Sequence, residues 1–61
     1  MKFNYFTDAI SGNKVAINSD LVTVVVGLTE GENAGKTHIG LTTGQLLVNE
    51  ADYEVVAILN T

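Results

Sequence analysis

The stretch GENAGKT, Gly31 to Thr37, contains the residue types that come nearest to a known chemical site. It ends in the Gly-Lys-Thr of a phosphate-binding loop, in which backbone amides and a lysine hold nucleotide phosphates. Three residues instead of four separate Gly31 from Gly35, so the spacing is one residue short. Such a loop also opens a helix, whereas THIGLTTG after Lys36 is typical of a strand and a turn. We therefore interpret the stretch as a hairpin loop with a solvated lysine.

His38 is the only histidine, and histidine is the side chain that ordinarily changes charge near neutral pH. Catalysis would require a neighbouring group to orient or activate it, and the local sequence offers none. One histidine, scattered carboxylates and no cysteine also fall short of a metal ligand set. We predict no catalytic residue, no metal and no cofactor, and we place His38 on an outward strand face.

Glu50, Asp52 and Glu54 are the densest group of carboxylates. On a helix, Glu50 and Glu54 would be neighbours while Asp52 points elsewhere, so the spacing does not indicate a catalytic pair. Carboxylates in a first turn suit the positive end of the helix dipole. We interpret these three residues as solvated.

The composition limits the classes of protein to which the chain can belong. Its 61 residues form one domain, 1–61, and so small a domain is marginal without disulfides, a metal or association. Without cysteine, a very efficient core or an oligomer remains as the support, and we favour the oligomer. The net charge is −4, with three lysines and no arginine, which argues against nucleic acid and an anionic membrane as partners. No apolar run reaches the ~18 residues of a membrane span or resembles a signal peptide, so we expect a cytoplasmic protein.

Five segments have the alternation or β-branched composition of strands. In the third, both faces are apolar, which predicts the central strand. In the fourth, we expect Ile39 and Leu41 to face inward. A glycine with positive φ is predicted in a tight turn at Thr43-Gly44. The five segments are KFNYF (2–6), KVAIN (14–18), LVTVVVGL (21–28), THIGLTT (37–43) and QLLVN (45–49).

The last segment changes its period. Ala51, Val55, Ile58 and Leu59 recur at helical spacing, and Asn49 is a suitable N-cap. We predict a helix of about two and a half turns, with a fifth short strand over 51–59 as the alternative because Val55-Val56 is β-branched. The predicted fold is mainly β, a small antiparallel five-stranded meander or barrel-like sheet with one C-terminal helix.

Four aromatic residues are present, and most of them are expected in the core. Phe6 lies off the strand face shared by Phe3 and Tyr5, so it is equally well placed for an exposed anchor in a subunit interface. We expect four residues to contact a ligand or a partner: Phe6, Lys36, His38 and Tyr53.

The order of these motifs resembles the small FlbD-type flagellar proteins and short open reading frames of tailed phages, including cyanophages. The likeness runs from Gly12 and Val15-x-Ile17-Asn18 through Thr37-x-Ile39-x-Leu41 to the Val55-Val56 segment. It implies a small β-rich accessory protein without catalytic residues.

Two functions follow as expectations. The first is a non-enzymatic homo-oligomer that binds another protein, for which the absence of proline from the edge strands also argues. The alternative is a small-molecule or nucleotide-binding module with a site between subunits near the 30–38 loop.

Overall fold

The computed structural model describes residues 2–61, which form five strands, one helix and a 3-10 turn. The order confirms a mainly β chain with one C-terminal helix, and 51–59 is helical rather than a strand. The elements are β1 (Phe3–Thr7), β2 (Lys14–Asn18), the 3-10 turn (Ser19–Leu21), β3 (Val22–Gly27), β4 (Thr37–Leu41), β5 (Gly44–Val48) and α1 (Asp52–Leu59).

The strands form two antiparallel sheets, β1-β2 and β3-β4-β5. The prediction of one five-stranded meander or barrel-like sheet is therefore wrong in its finer part. The break lies at the 3-10 turn, where the Asn18 side chain accepts a hydrogen bond from Asp20 N at 3.0 Å and the chain leaves the first sheet. The sheets still touch, because Asp8 bridges Val48 and Ala9 N donates to Leu47 O at 2.9 Å.

The central strand of the larger sheet is β4, not the valine-rich β3 as predicted. Strand β4 pairs with β3 on one side and with β5 on the other. Strand β3 follows the 3-10 turn and pairs with β4 alone in the described chain. As an edge strand, β3 leaves Val24 49% and Val26 43% exposed. Strand β3 is thus apolar on both sides although the described chain leaves its outer side uncovered, and this composition does not indicate a central position.

The turn between β4 and β5 consists of Thr42 and Thr43, with Leu41 opposite Gly44. The predicted positive-φ glycine is wrong here, because Gly44 belongs to β5. In the described residues, positive φ occurs at Gly12, Gly31 and Gly35. Gly12 lies in the predicted β1-β2 turn, so that turn is confirmed.

The core is small and joins both sheets to the helix. Val15 and Ile17 face it from β2, and Ile39 and Leu41 from β4, as the alternation predicts. Five apolar side chains are buried: Phe6, Ile17, Ile39, Val48 and Val55.

Phe6 is a core residue with 0% exposure, so its expected role as an exposed anchor is wrong. Asn4 shares its face of β1, and the Asn4 amide donates to Ser19 Oγ at 2.6 Å. Because that hydrogen bond satisfies Asn4, the polar residue can turn inward and Phe6 with it. Phe3 and Tyr5 consequently lie outside, 55% and 67% exposed.

The helix packs as its period predicts, with Val55 buried and Ile58 and Leu59 against the core. The N-cap is Ala51 rather than the predicted Asn49. The Glu54 carboxylate instead accepts a hydrogen bond from Ala51 N at 3.2 Å. In the part of the chain that the structure covers, no helix combines the length and the apolar character needed to cross a bilayer.

Candidate functional site

The four residues expected at a ligand or partner are dispersed. Phe6 is inside the core, while Tyr53 is 74% exposed on α1. His38 is half-buried on the outer side of β4, and Lys36 is half-buried just before that strand. Of the four, Lys36 and Tyr53 line a common cleft, and His38 does not.

The GENAGKT stretch is the end of the loop that joins β3 to β4. Leu28 and Lys36 pair across its base, since Leu28 N donates to Lys36 O at 2.9 Å and Gly35 N donates to Leu28 O at 2.8 Å. Strand β4 begins at Thr37, directly after the lysine. The hairpin interpretation is therefore confirmed, because no helix N-terminus follows the lysine to hold a phosphate.

A cleft of about 340 Å³ lies between this loop base and the start of α1. Its close packing depends on Gly27, because a methyl group there would lie 2.6 Å from Asp52 Oδ2. The Asp52 carboxylate also accepts a hydrogen bond from Tyr53 N at 2.8 Å. The lining residues are Gly27, Leu28, Thr29, Gly35, Lys36, Ala51, Asp52 and Tyr53.

The cleft brings together one ammonium group, one carboxylate and one phenol on a mostly apolar lining. This set can hold a small polar ligand by charge and stacking. Among residues 2–61, no group of three histidine, aspartate or glutamate side chains is placed to hold a metal ion.

Glu50 connects the end of β5 to β1. Its carboxylate accepts hydrogen bonds from Thr7 N at 2.9 and 3.1 Å and from Thr7 Oγ1 at 3.0 Å. The buried Thr37 hydroxyl donates to Glu50 O at 2.7 Å. Partial burial acts to raise the pKa of Glu50, but these hydrogen bonds and the charge of Lys14 together lower it below its usual value. Glu50 is thus not a residue of the helix's first turn, as predicted, but a link between the two sheets.

Asp8 organises the β1-β2 loop in a similar way. Its carboxylate accepts hydrogen bonds from Ser11 Oγ at 2.7 Å and from Ile10 N at 3.2 Å. The Ser11 hydroxyl and then the Ile10 amide lower the pKa of Asp8. Of the two acidic side chains whose pKa is lowered, Glu50 thus joins the two sheets and Asp8 holds the β1-β2 loop.

The outer side of the larger sheet carries no carboxylate and combines apolar side chains with His38 and Gln45. Register places Val26, His38 and Leu47 side by side on it, with Val24, Gly40 and Gln45 in the next row. Gly40 is buried, and its lack of a side chain lets the Val24 side chain lie over it, because a methyl group there would collide with Val24 Cγ1. We call these six residues, Val24, Val26, His38, Gly40, Gln45 and Leu47, the sheet face.

A second apolar surface lies on the outer side of the β1-β2 hairpin. Phe3 and Tyr5 are two residues apart on one strand and therefore point to the same side. Tyr5 is opposite Ala16, and Phe3 is opposite Asn18. We call Phe3, Tyr5 and Ala16 the aromatic face.

Neither face was predicted as a site, although the sequence contains a signal for the first. None of the residues in β3, β4 and β5 is acidic or basic apart from His38. An antiparallel sheet with one solvated face normally carries polar residues there. The absence of charge from three consecutive strands is a pattern that could have identified the sheet face.

Comparison of the chain with models of protein families, with curated proteins and with solved structures finds no match. The resemblance to FlbD-type and phage proteins therefore stays a prediction.

Proposed function

We propose that this chain is a non-enzymatic interaction module, a small oligomeric accessory protein that binds another protein. It would act in the cytoplasm of a bacterium or of an infected host cell, as the resemblance to FlbD-type and phage proteins implies. The observation that carries the proposal is the aromatic face, where Phe3 and Tyr5 are exposed side by side while Phe6 is buried.

The aromatic face has the composition of a binding surface. Tyrosine and phenylalanine are enriched at the centres of protein interfaces, because they contribute large contact areas with few rotatable bonds. The Phe3 and Tyr5 side chains lie on a paired strand, which fixes their spacing before a partner binds. Asn18 and Lys14 supply polar groups on the neighbouring strand, in the manner of an interface rim.

The polar groups of the molecule support a binding role over an enzymatic one. The Glu50 and Asp8 carboxylates accept hydrogen bonds from backbone and hydroxyl groups within the fold. Among residues 2–61, every buried side-chain nitrogen and oxygen has a hydrogen-bond partner. Within the described residues, no buried polar side chain is therefore left without a partner that a substrate could replace.

The proposal is tested by comparing two double variants as immobilised bait for proteins of the host cell. Phe3→Ser/Tyr5→Ser alters the aromatic face, and Ile10→Ser/Val56→Ser removes two exposed apolar side chains elsewhere as the matched control. We expect a partner that the wild type and the control variant retain and the aromatic-face variant loses.

The retained protein is then purified and titrated with the chain by calorimetry. A loss of affinity of tenfold or more in the aromatic-face variant alone supports the proposal. If all three chains retain the same proteins, or if the purified protein binds them equally, the aromatic face is not a binding surface.

The cleft between the loop base and α1 favours a second function, binding of a small anionic molecule such as a nucleotide. Lys36 supplies the cation and Tyr53 an exposed ring for stacking. The cleft belongs to one chain and excludes His38, which differs from the expected site between subunits near 30–38. Thermal unfolding with ATP and GTP tests it, since a ligand that binds only the folded chain raises the unfolding temperature with its concentration. Equal shifts for the wild type and Lys36→Ala would contradict it.

A further inference from the structure

The sheet face contains no lysine, arginine or acidic residue. Its valines, Val24 and Val26, are 49% and 43% exposed, and Leu47 lies beside His38 in the same row. Contiguous exposed apolar side chains of this kind mark interaction sites in soluble proteins.

Charge decides which partner fits this surface. Each chain has a net charge of −4, which opposes the association of two copies, so a contact between copies is least unfavourable where carboxylates are absent. The acidic residues lie outside the larger sheet, in the loops, in the 3-10 turn, after β5 and in α1: Asp8, Asp20, Glu30, Glu32, Glu50, Asp52 and Glu54. The aromatic face ends at Lys14, whose charge acts on Glu50, whereas the sheet face can meet its own copy without bringing such groups together.

We infer that two copies of this chain stack through the sheet face, with Val24, Val26 and Leu47 of each chain against those of the other about a two-fold axis. The inference rests on the proposed oligomeric function and names the surface that would carry it. Face-to-face sheets pack about 10 Å apart with their side chains interdigitated.

The size of the sheet face sets the strength of the pair. Three strands about 4.8 Å apart and about 17 Å long give a footprint of about 250 Å². A stable specific interface buries about 800 Å² on each partner. The dimer is therefore expected to be weak and reversible, so its detection requires a concentration series.

Sedimentation equilibrium of the full chain between 20 µM and 1 mM at pH 7.5 tests the inference. Val26→Lys places a charge in the sheet face, and Val56→Lys is the matched control, because Val56 is 45% exposed on α1 and receives the same charge. We expect the wild type and Val56→Lys to dimerise alike, and Val26→Lys to have a dissociation constant at least tenfold higher. Far-UV circular dichroism checks that each variant is folded.

A second variant keeps the test decisive if Val26→Lys does not fold. Val24→Thr/Val26→Thr preserves shape and β-branching and adds two hydroxyl groups, so it weakens the dimer without charge. In parallel, amide chemical shifts are followed from low to high concentration. We expect the changes to concentrate on Val24, Val26, His38 and Leu47.

The outcomes separate the inference from the function on which it rests. Dimers that Val26→Lys and the threonine variant leave intact, or shifts that concentrate on Phe3 and Tyr5, overturn the sheet face as the contact and leave an oligomer. A chain that stays monomeric at 1 mM overturns both the inference and the oligomeric part of the proposed function. Partner binding by the aromatic face is measured separately and survives either result.

Discussion

At the scale of single residues, Glu50 makes stability depend on pH. Its pKa is lower in the folded chain than its usual value, so the unfolded chain binds the proton more tightly. Its contribution is complete above the unfolded pKa of about 4.3 and is lost as the pH falls through the lower folded pKa. We expect the free energy of unfolding to decrease as the pH falls below about 4.5.

Glu50→Gln tests this dependence. The amide keeps one acceptor for Thr7 but no charge, so we expect a loss of about 0.5–1.5 kcal/mol at pH 7 and a shallower decline toward pH 3. Asp8, whose pKa is also lowered, is unchanged in this variant, so part of the loss of stability at low pH remains. Urea unfolding at several pH values measures both effects, with Glu32→Gln in the exposed loop as the control for net charge. If the free energy of unfolding of Glu50→Gln falls toward low pH as steeply as that of the wild type, the role assigned to Glu50 is contradicted.

Phe3 and Phe6 provide a matched test of the core. Phe6 is buried and Phe3 is 55% exposed, so Phe6→Ala is expected to cost about 3–5 kcal/mol and Phe3→Ala less than about 1 kcal/mol. A domain of this length has about 3–9 kcal/mol of stability in total, so Phe6→Ala should remove between about a third and all of it. Urea midpoints decide the matter, and Phe6→Leu serves if the alanine variant is insoluble. Equal midpoints for the two alanine variants would show that Phe6 is not the core residue.

The same two residues show how far the sequence predicts single positions. Alternation correctly groups Phe3 with Tyr5 and Asn4 with Phe6. It cannot say which group is buried, because each contains a phenylalanine. The hydrogen bond between Asn4 and Ser19 settles the choice, and it joins residues whose contact depends on the 3-10 turn. In β2 and β4, where the two faces differ in polarity, the same reasoning identifies the inward residues.

At the scale of elements, the start of α1 can be improved. Ala51 is the N-cap with φ −68° and ψ 157°, the extended conformation that capping residues adopt, and its side chain has no acceptor. The Glu54 carboxylate already accepts from Ala51 N. Ala51→Ser would add the reciprocal hydrogen bond and complete a capping box.

We expect Ala51→Ser to stabilise the chain by about 0.5–2 kcal/mol. For a domain of this size, about 1 kcal/mol raises the unfolding temperature by roughly 4–8 °C, which differential scanning calorimetry resolves. Ala51→Val is the control, since valine adds bulk at the same position without an acceptor. A serine variant no more stable than the valine variant would mean that the helix start is already satisfied.

Strand and helix positions follow from the sequence, but the pairing of the strands does not. All five predicted strands agree in position with the observed ones within about two residues, a usual margin, but β3 was predicted as the central strand and is an edge strand. Its valines indicated burial on both faces, whereas the 3-10 turn leaves it at an edge. Which elements touch is decided by contacts such as the Asp8-Val48 bridge, and local composition does not encode these.

At the scale of the whole molecule, the candidate sites follow from where the chain places its charges. The sequence shows that β3, β4 and β5 are free of acidic and basic residues apart from His38. Only the fold shows that one side of this sheet is uncovered by the described chain. It also shows that Lys36 lines a cleft with Tyr53 and not with His38. The sequence thus shows which strands lack charged residues, and the fold shows which sides of the sheets are exposed.

The last prediction concerns how stability depends on concentration. If folded chains associate and unfolded chains do not, association adds to the free energy of unfolding by mass action. Because the expected dimer is weak, the unfolding temperature should be constant up to about 20 µM and rise by a few degrees toward 1 mM. Scanning calorimetry over this range measures the rise, and Val56→Lys should reproduce it whereas Val26→Lys should remain flat. An unfolding temperature independent of concentration in all three chains would mean that the small core suffices alone, and that the uncovered sheet face does not join two folded copies.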